Sequence, residues 1–129
     1  MAAHLYAQLS SRFPEPGKLA FETQDGARFT YGDVDAGAAR MAGALVALGV
    51  KPGDRVAVQV EKSLQAVLLY LGCARAGAVF LPLNTAYTAA EIEYFLTDAE
   101  PTVFVCDPAR KDELASASTL KPEVVAGLD

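Results

Sequence analysis

The sequence predicts an α/β fold, a mostly parallel sheet with helices on both faces. Three observations carry that expectation. Short apolar runs, at 55–60, 78–83 and 102–106, alternate with stretches of helical periodicity. Capping and stop residues bracket the helical stretches. Residues 55–83 hold a strand, a helix and a second strand, a βαβ unit of the kind that is parallel in nearly all proteins.

Taken in order, the chain opens on an amphipathic segment whose apolar residues are Leu5, Leu9 and Phe13, broken by Pro14-Glu15-Pro16-Gly17. Residues 18–23 and 28–31 read as two short strands about Gln24-Asp25-Gly26, because Asp-Gly between apolar runs favours a hairpin turn. Thr30 and Asp33 then stand at capping-box spacing. The helix they start lines one face with Val34, Ala38, Met41, Leu45 and Leu48. Gly49 stands where a left-handed C-terminal residue is needed, and Val50 can pack back on Leu45. Lys51-Pro52-Gly53-Asp54 is the turn that follows.

In the strand at 55–60, Val56, Val58 and Val60 share one face, while Ala57 and Gln59 occupy the other and allow a helix to lie close. Residues 63–76 form a helix apolar almost all round, capped by Ser63 and ended by Gly77. A strand at 78–83 ends at a proline. Thr88 and Glu91 make a second capping box, with Tyr87 and Ile92 placed as a hydrophobic staple. That helix runs to about Ala99, before Pro101. Residues 102–106 form a third buried strand closed by Asp107-Pro108, 109–117 a short helix, and 123–126 one more strand.

Composition excludes several functions. The chain has 129 residues, 52% hydrophobic, enough for a packed core and too apolar for intrinsic disorder. A net charge of −5 without a basic stripe argues against gripping nucleic acid by its phosphates. The longest apolar run, 66–74, is about half of the roughly 18 residues a membrane span needs, so no membrane partner is expected. Cys73 and Cys106 read as buried small hydrophobes, and with the lone His4 they cannot assemble a zinc site. The acidic balance favours solubility, and a cytoplasmic location is expected.

Local tests for chemistry return little. Asp33 and Asp35, like Glu91 and Glu93, are separated by i,i+2 and do not face each other on a helix. Ser63 follows a strand but lacks the flanking glycines of a nucleophile elbow, since Glu61 and Leu64 occupy their places. Gly17-Lys18 is similar to the end of a P-loop, yet Arg12 replaces its first glycine and no Ser or Thr follows Lys18. Asn84, Thr85 and Tyr87 follow the carboxyl end of a parallel strand, where open α/β sheets place ligands. They either approach a ligand or only shape their loop. No catalytic, cofactor-binding or metal residue is assigned.

Four segments in register supply a family resemblance. Phe29-Thr30-Tyr31-Gly32-Asp33-Val34 resembles the T-Y-x-E-L opening of adenylate-forming enzymes, the AMP-forming acyl-CoA synthetases and their relatives. Residues 48–57, Leu-Gly-Val-Lys-Pro-Gly-Asp-Arg-Val-Ala, are similar to their L-G-V-x-x-G-D-R-V-A stretch. Residues 74–84 match A-x-A-G-A-x-x-x-P-L-N, and Glu91-Ile92-Glu93-Tyr94 with Asp98-Ala99-Glu100-Pro101 continue the pattern. The resemblance runs from about residue 19 to 107, and 118–129 shows no clear match. Glu61-Lys62-Ser63 with Asn84-Thr85-Ala86-Tyr87-Thr88 most resembles the malonyl-CoA synthetases within the family.

The resemblance implies that 1–129 is the N-terminal fragment of the large domain of an acid–CoA ligase. Such a parent passes from carboxylate to acyl-adenylate to acyl-CoA, using ATP, Mg²⁺ and CoA, with malonate as its acid. The family's phosphate-embracing Ser/Thr/Gly-rich loop, its adenine and ribose motifs and its C-terminal lysine have no counterpart here. The fragment alone is therefore expected to bind no cofactor and to be inactive, with the remainder of the parent as its partner. The alternative is a stand-alone, non-catalytic α/β interaction domain, motivated by the strand edges and apolar surface such a piece would leave uncovered.

Overall fold

The computed structural model describes residues 2–110, 112–113 and 125–127. Helix α1 (Ala2–Ser10) leads to a hairpin, β1 (Leu19–Glu22) and β2 (Arg28–Thr30). There follow α2 (Tyr31–Ala47), β3 (Arg55–Gln59), α3 (Leu64–Ala76), β4 (Val79–Pro82), α4 (Ala89–Ala99) and β5 (Val103–Cys106). A 3₁₀ turn (Pro108–Arg110) and strand β6 (Val125–Gly127) complete the described elements. The main sheet has the order β4-β3-β5-β6 and is parallel throughout, and the antiparallel β1–β2 pair forms a separate small sheet.

Local chemistry starts and stops the elements as the sequence predicts. The Thr30 hydroxyl accepts from the Asp33 amide at 3.1 Å while the Asp33 carboxylate accepts from the Thr30 amide at 2.9 Å. Thr88 and Glu91 repeat this reciprocal bonding at the head of α4, and the Ser63 hydroxyl accepts from Ala66 at 3.1 Å at the head of α3. At the end of α2, Gly49 (φ 97°) donates to Val46 and Val50 donates to Leu45, both at 3.0 Å. That is the Schellman arrangement, and it delivers the buried Val50 beside the buried Leu45. Pro52 and Gly53 (φ 88°) fill the central places of the next turn, closed by the Asp54 amide on the Lys51 carbonyl at 3.0 Å.

Two cores lie on opposite faces of the sheet. On one, Val56, Val58, Val103 and Val105 pack against Leu45 of α2 and Leu69 and Cys73 of α3. On the other, Ala57, Phe104 and Cys106 pack under Ile92 and Leu96 of α4. The expected division of β3 into a valine face and a small face therefore holds, with one exception described below. The cysteines belong to different cores as buried apolar groups, and burial pushes the Cys73 thiol up to about 12.

Packing between helices corrects the expected stripes. On α2, Gly37 and Ala42 join Val34, Ala38 and Leu45 in the buried face, whereas Leu48 is exposed. The reason is close approach. A Cβ added at Gly37 would stand 2.8 Å from Leu68, and one at Gly72 of α3 would stand 2.5 Å from the Met41 Cβ and 3.0 Å from the Ala42 amide nitrogen. Among the described side chains of α1, Tyr6 is buried and Leu9 half-buried, whereas Leu5 is 43% exposed. Tyr6 donates to the Asp35 carboxylate, and Arg75 lies 5.2 Å above its ring while bonding the same Asp35 at 3.3 Å. Phe13 lies beyond the end of α1 and meets the Tyr31 ring at 5.2 Å.

Two C-terminal expectations also change. The helix expected at 109–117 begins as the 3₁₀ turn, with helical geometry at Asp112 and Glu113, and 114–117 lie outside the described residues. The last strand occupies Val125–Gly127 and pairs parallel with β5; the start of the expected 123–126 span lies outside the described residues. No described helix is long and apolar enough to cross a membrane.

Gly72→Val is expected to destabilise the chain by about 2–4 kcal/mol through overpacking against α2. Gly43→Ala, on the open side of α2 with no atom within 4 Å of an added Cβ, should stabilise it by about 0.5–1 kcal/mol. Urea titrations read both changes, and equal effects at the two glycines would contradict the close contact between α2 and α3. A second outcome concerns Tyr6, whose pKa is raised by burial and then by the Asp35 carboxylate. The folded state thus favours neutral tyrosine, so its contribution is complete below the ordinary tyrosine pKa and is lost as pH rises through the raised one. Between about pH 9 and 11, the parent chain should lose more stability than Tyr6→Phe does, as followed by thermal melts.

Candidate functional site

From β3 the chain crosses through α3 to β4 on one side and then returns, through α4 on the opposite face, to β5 on the other side of β3. Connections that part in this way open a crevice at the carboxyl ends of the strands between them, where open α/β sheets bind ligands. The structure has a cleft of about 100 Å³ there, lined by Gln59, Val60, Glu61, Thr85, Asp107 and Arg110. Gln59 ends β3, and the others come from the segments that follow β3, β4 and β5.

Gln59 organises the cleft. It is the last residue of β3 and only 3% exposed, so its amide must find partners within the protein. Its Nε2 donates to the Asn84 carbonyl at 2.8 Å and to the Tyr87 carbonyl at 3.4 Å, which ties down the β4–α4 loop. Its Oε1 accepts from Arg110 Nη1 at 3.0 Å, which ties down the 3₁₀ turn after β5. Arg110 Nη2 reaches Glu113 at 3.4 Å. One side chain thereby braces the exits of three parallel strands.

The β4–α4 loop shares out its sequence-singled residues. Thr85 alone of Asn84, Thr85 and Tyr87 lines the cleft. Asn84 turns its side chain onto the Ala86 amide at 2.9 Å, a local Asx turn. Tyr87 stacks on Phe95 with ring centroids 4.9 Å apart and packs against the core containing Ile92, fulfilling the staple. Asp107 holds the following turn by accepting from Ala109 at 2.9 Å.

Chemically the cleft offers hydroxyl, carboxylate and guanidinium groups for binding. Among the described residues there is no cluster of three metal-ligating side chains. Sequence reasoning missed Gln59, Glu61, Asp107 and Arg110. A glutamine amid valines is the signal that was available for Gln59, because a buried amide demands partners. Arg110 reads in sequence as half of a basic pair beside two acids, and nothing local links it to Gln59.

The fold and the crevice define an open α/β scaffold, with helices on both faces of a parallel sheet and a polar cleft at its carboxyl edge. Its family follows from comparison: residues 10–128 match the profile of the AMP-binding enzymes, and the chain belongs to that family. The match extends past 107, into the segment for which sequence motifs show no resemblance.

MatB from Rhodopseudomonas palustris, solved apo and with ATP bound, superposes with a TM-score of 0.87 and 47% identity over 98% of this chain. The long-chain-fatty-acid–CoA ligase FadD13 of Mycobacterium tuberculosis is 40% identical over 78 residues, 60% of this chain. CymA of Salinispora arenicola, a probable non-canonical nonribosomal peptide synthetase, is 36% identical over 98 residues, 76% of this chain. The chain spans 25% of the length of MatB, 16% of FadD13 and 1% of CymA.

Gln59→Leu should leave the Asn84 and Tyr87 carbonyls and the Arg110 guanidinium without their shared partner, at a cost of about 1–3 kcal/mol. Hydrogen exchange should quicken at residues 84–88 and 107–110 together. Faster exchange in one segment alone would contradict a common brace.

Proposed function

We propose that this chain is the N-terminal part of an AMP-forming acid–CoA ligase of the malonyl-CoA synthetase type, acting in the cytoplasm with ATP, Mg²⁺ and CoA. The observation that carries the reading is the 47% identity with MatB across 98% of the chain. VinN reaches 26% and a long-chain-fatty-acid CoA ligase from Rhodopseudomonas palustris 29% over the same share of the chain. The malonyl-CoA synthetase-like segments at 61–63 and 84–88 support it, since both border the cleft region braced by Gln59.

In this reading the chain contributes scaffold and binding surface. Gln59 and Arg110 tie the β4–α4 loop and the turn after β5 to the end of β3, and Thr85, Glu61 and Asp107 offer polar contacts to whatever the crevice receives. Adenylyl transfer depends on charged groups aimed at the reacting phosphate; these residues form no such cluster, so the remainder of the parent supplies them. ATP with Mg²⁺ supplies the activated phosphate there. The nonribosomal peptide synthetases among the relatives support a second acid class, an amino acid.

The test uses the chain alone and as a replacement for the corresponding quarter of MatB. Alone, with malonate, ATP and Mg²⁺, it should release no pyrophosphate above a protein-free control. In the chimera, malonate-dependent release should stay within about tenfold of MatB, a loss of no more than ~1.4 kcal/mol in barrier terms. Amino acids and long-chain acids should not replace malonate. A folded chimera that is inactive, or release by the chain alone, overturns the proposal.

A further inference from the structure

A second cavity, of about 240 Å³, lies between β2, the first turns of α2 and the start of α3. Its apolar lining comes from Phe29, Val34, Leu64 and Leu68, and its charged lining includes Arg28 and Arg40. Three of the six arginines are engaged: Arg55 with the Ala99 carbonyl, Arg75 with Asp35, and Arg110 with Gln59. Arg28 and Arg40 make no hydrogen bond or ion pair to any described residue, and both face this one cavity.

Neither neighbouring carboxylate forms an ion pair with them, and two guanidiniums against the one Asp33 carboxylate leave the lining an excess of one positive charge. Asp33 lines the cavity, but one of its oxygens is held by the Thr30 amide at 2.9 Å in the capping box. Glu22 stands opposite Arg28 in the hairpin register without forming an ion pair to it. Val34 and Leu68 are buried, so the floor is largely dry, while the guanidiniums stay at the rim. Guanidinium forks bind carboxylates through paired charge-assisted hydrogen bonds, and an apolar floor beside them rewards an aliphatic body.

We propose that this cavity binds an amphipathic organic monoanion, a short aliphatic carboxylate whose head lies between Arg28 and Arg40 and whose chain lies over Phe29, Leu64 and Leu68. Its volume holds roughly eight water-sized groups, counting about 30 Å³ for each, which matches an acid such as hexanoate. The site is separate from the Gln59 cleft and stands whether or not the ligase reading does.

Titration of the 129-residue chain with hexanoate, followed by amide NMR, tests it. A dissociation constant of about 1 mM is expected for so small a ligand, with shifts centred on Phe29, Val34, Leu64 and Leu68. Hexanamide, which lacks the charge, and inorganic phosphate, which lacks the chain, should each bind about tenfold more weakly. Arg28→Ala and Arg40→Ala should each weaken hexanoate about tenfold, and Arg40→Lys should restore part of that loss. Leu64→Trp, which fills the cavity and keeps both arginines, should abolish binding. Equal binding of hexanamide or phosphate, indifference to the arginine substitutions, retained binding in Leu64→Trp, or shifts confined to the Gln59 cleft overturns the proposal.

Discussion

The structure depends on the complete enclosure of β3. Its residues Val56, Ala57, Val58 and Gln59 are at most 3% exposed, with β4 bonded along one edge and β5 along the other. Full burial on both faces is the normal state of a parallel strand. It asks for apolar side chains up and down, and for a small one wherever a helix comes close. Ala57 meets that need beneath α4, while Val56 and Val58 meet α2 and α3. The polar residue at the end of the strand must satisfy itself inside the protein, and from that need the cleft takes its form.

The helical layer obeys a related constraint. Glycine at 37 and 72 brings α2 and α3 close enough for Leu68 and Met41 to fill the contact. That economy exposes little side chain to water, but it fixes the helices with few large groups. Tyr6 adds a large group at the seam of α2 and α3, clustered with Ala38 and Ala74. Its ring lies under Arg75 and its hydroxyl on Asp35, so α1 is held by one aromatic residue that joins two helices. Dispersion, hydrogen bonding and cation–π attraction meet in that residue.

Much of this was legible because it is local. Thr30 with Asp33, Ser63 with Ala66, Thr88 with Glu91, and Pro52 with Gly53 each act within three residues, so spacing alone reveals them. The sheet's parallel character and the valine face of β3 follow from periodicity. What escaped is long-range. Periodicity could not choose Tyr6 over Leu5, because the choice depends on Asp35 and Arg75 beyond the helix. Gln59 read as a small-face residue, yet its partners lie 25, 28 and 51 residues away. Position after a parallel strand marks Asn84, Thr85 and Tyr87 alike in the sequence, but only Thr85 lines the cleft.

The division between local and long-range also separates what fixes the backbone from what ties its loops together. VinN keeps a TM-score of 0.81 at 26% identity, against 0.87 at 47% for MatB, so the backbone tolerates wide replacement of side chains. Thr30, Gly49, Gly53 and Gly77 start or stop elements within a few residues of themselves, and each falls in a segment that resembles a family motif. Their part is spent on turns and helix ends. Gln59 and Arg110 differ in kind: they act side chain to side chain, and any change in one leaves the other's buried or half-buried polar atoms to be satisfied anew. The form of the crevice therefore depends on the braces that set the loops as well as on the caps and turns that set the elements.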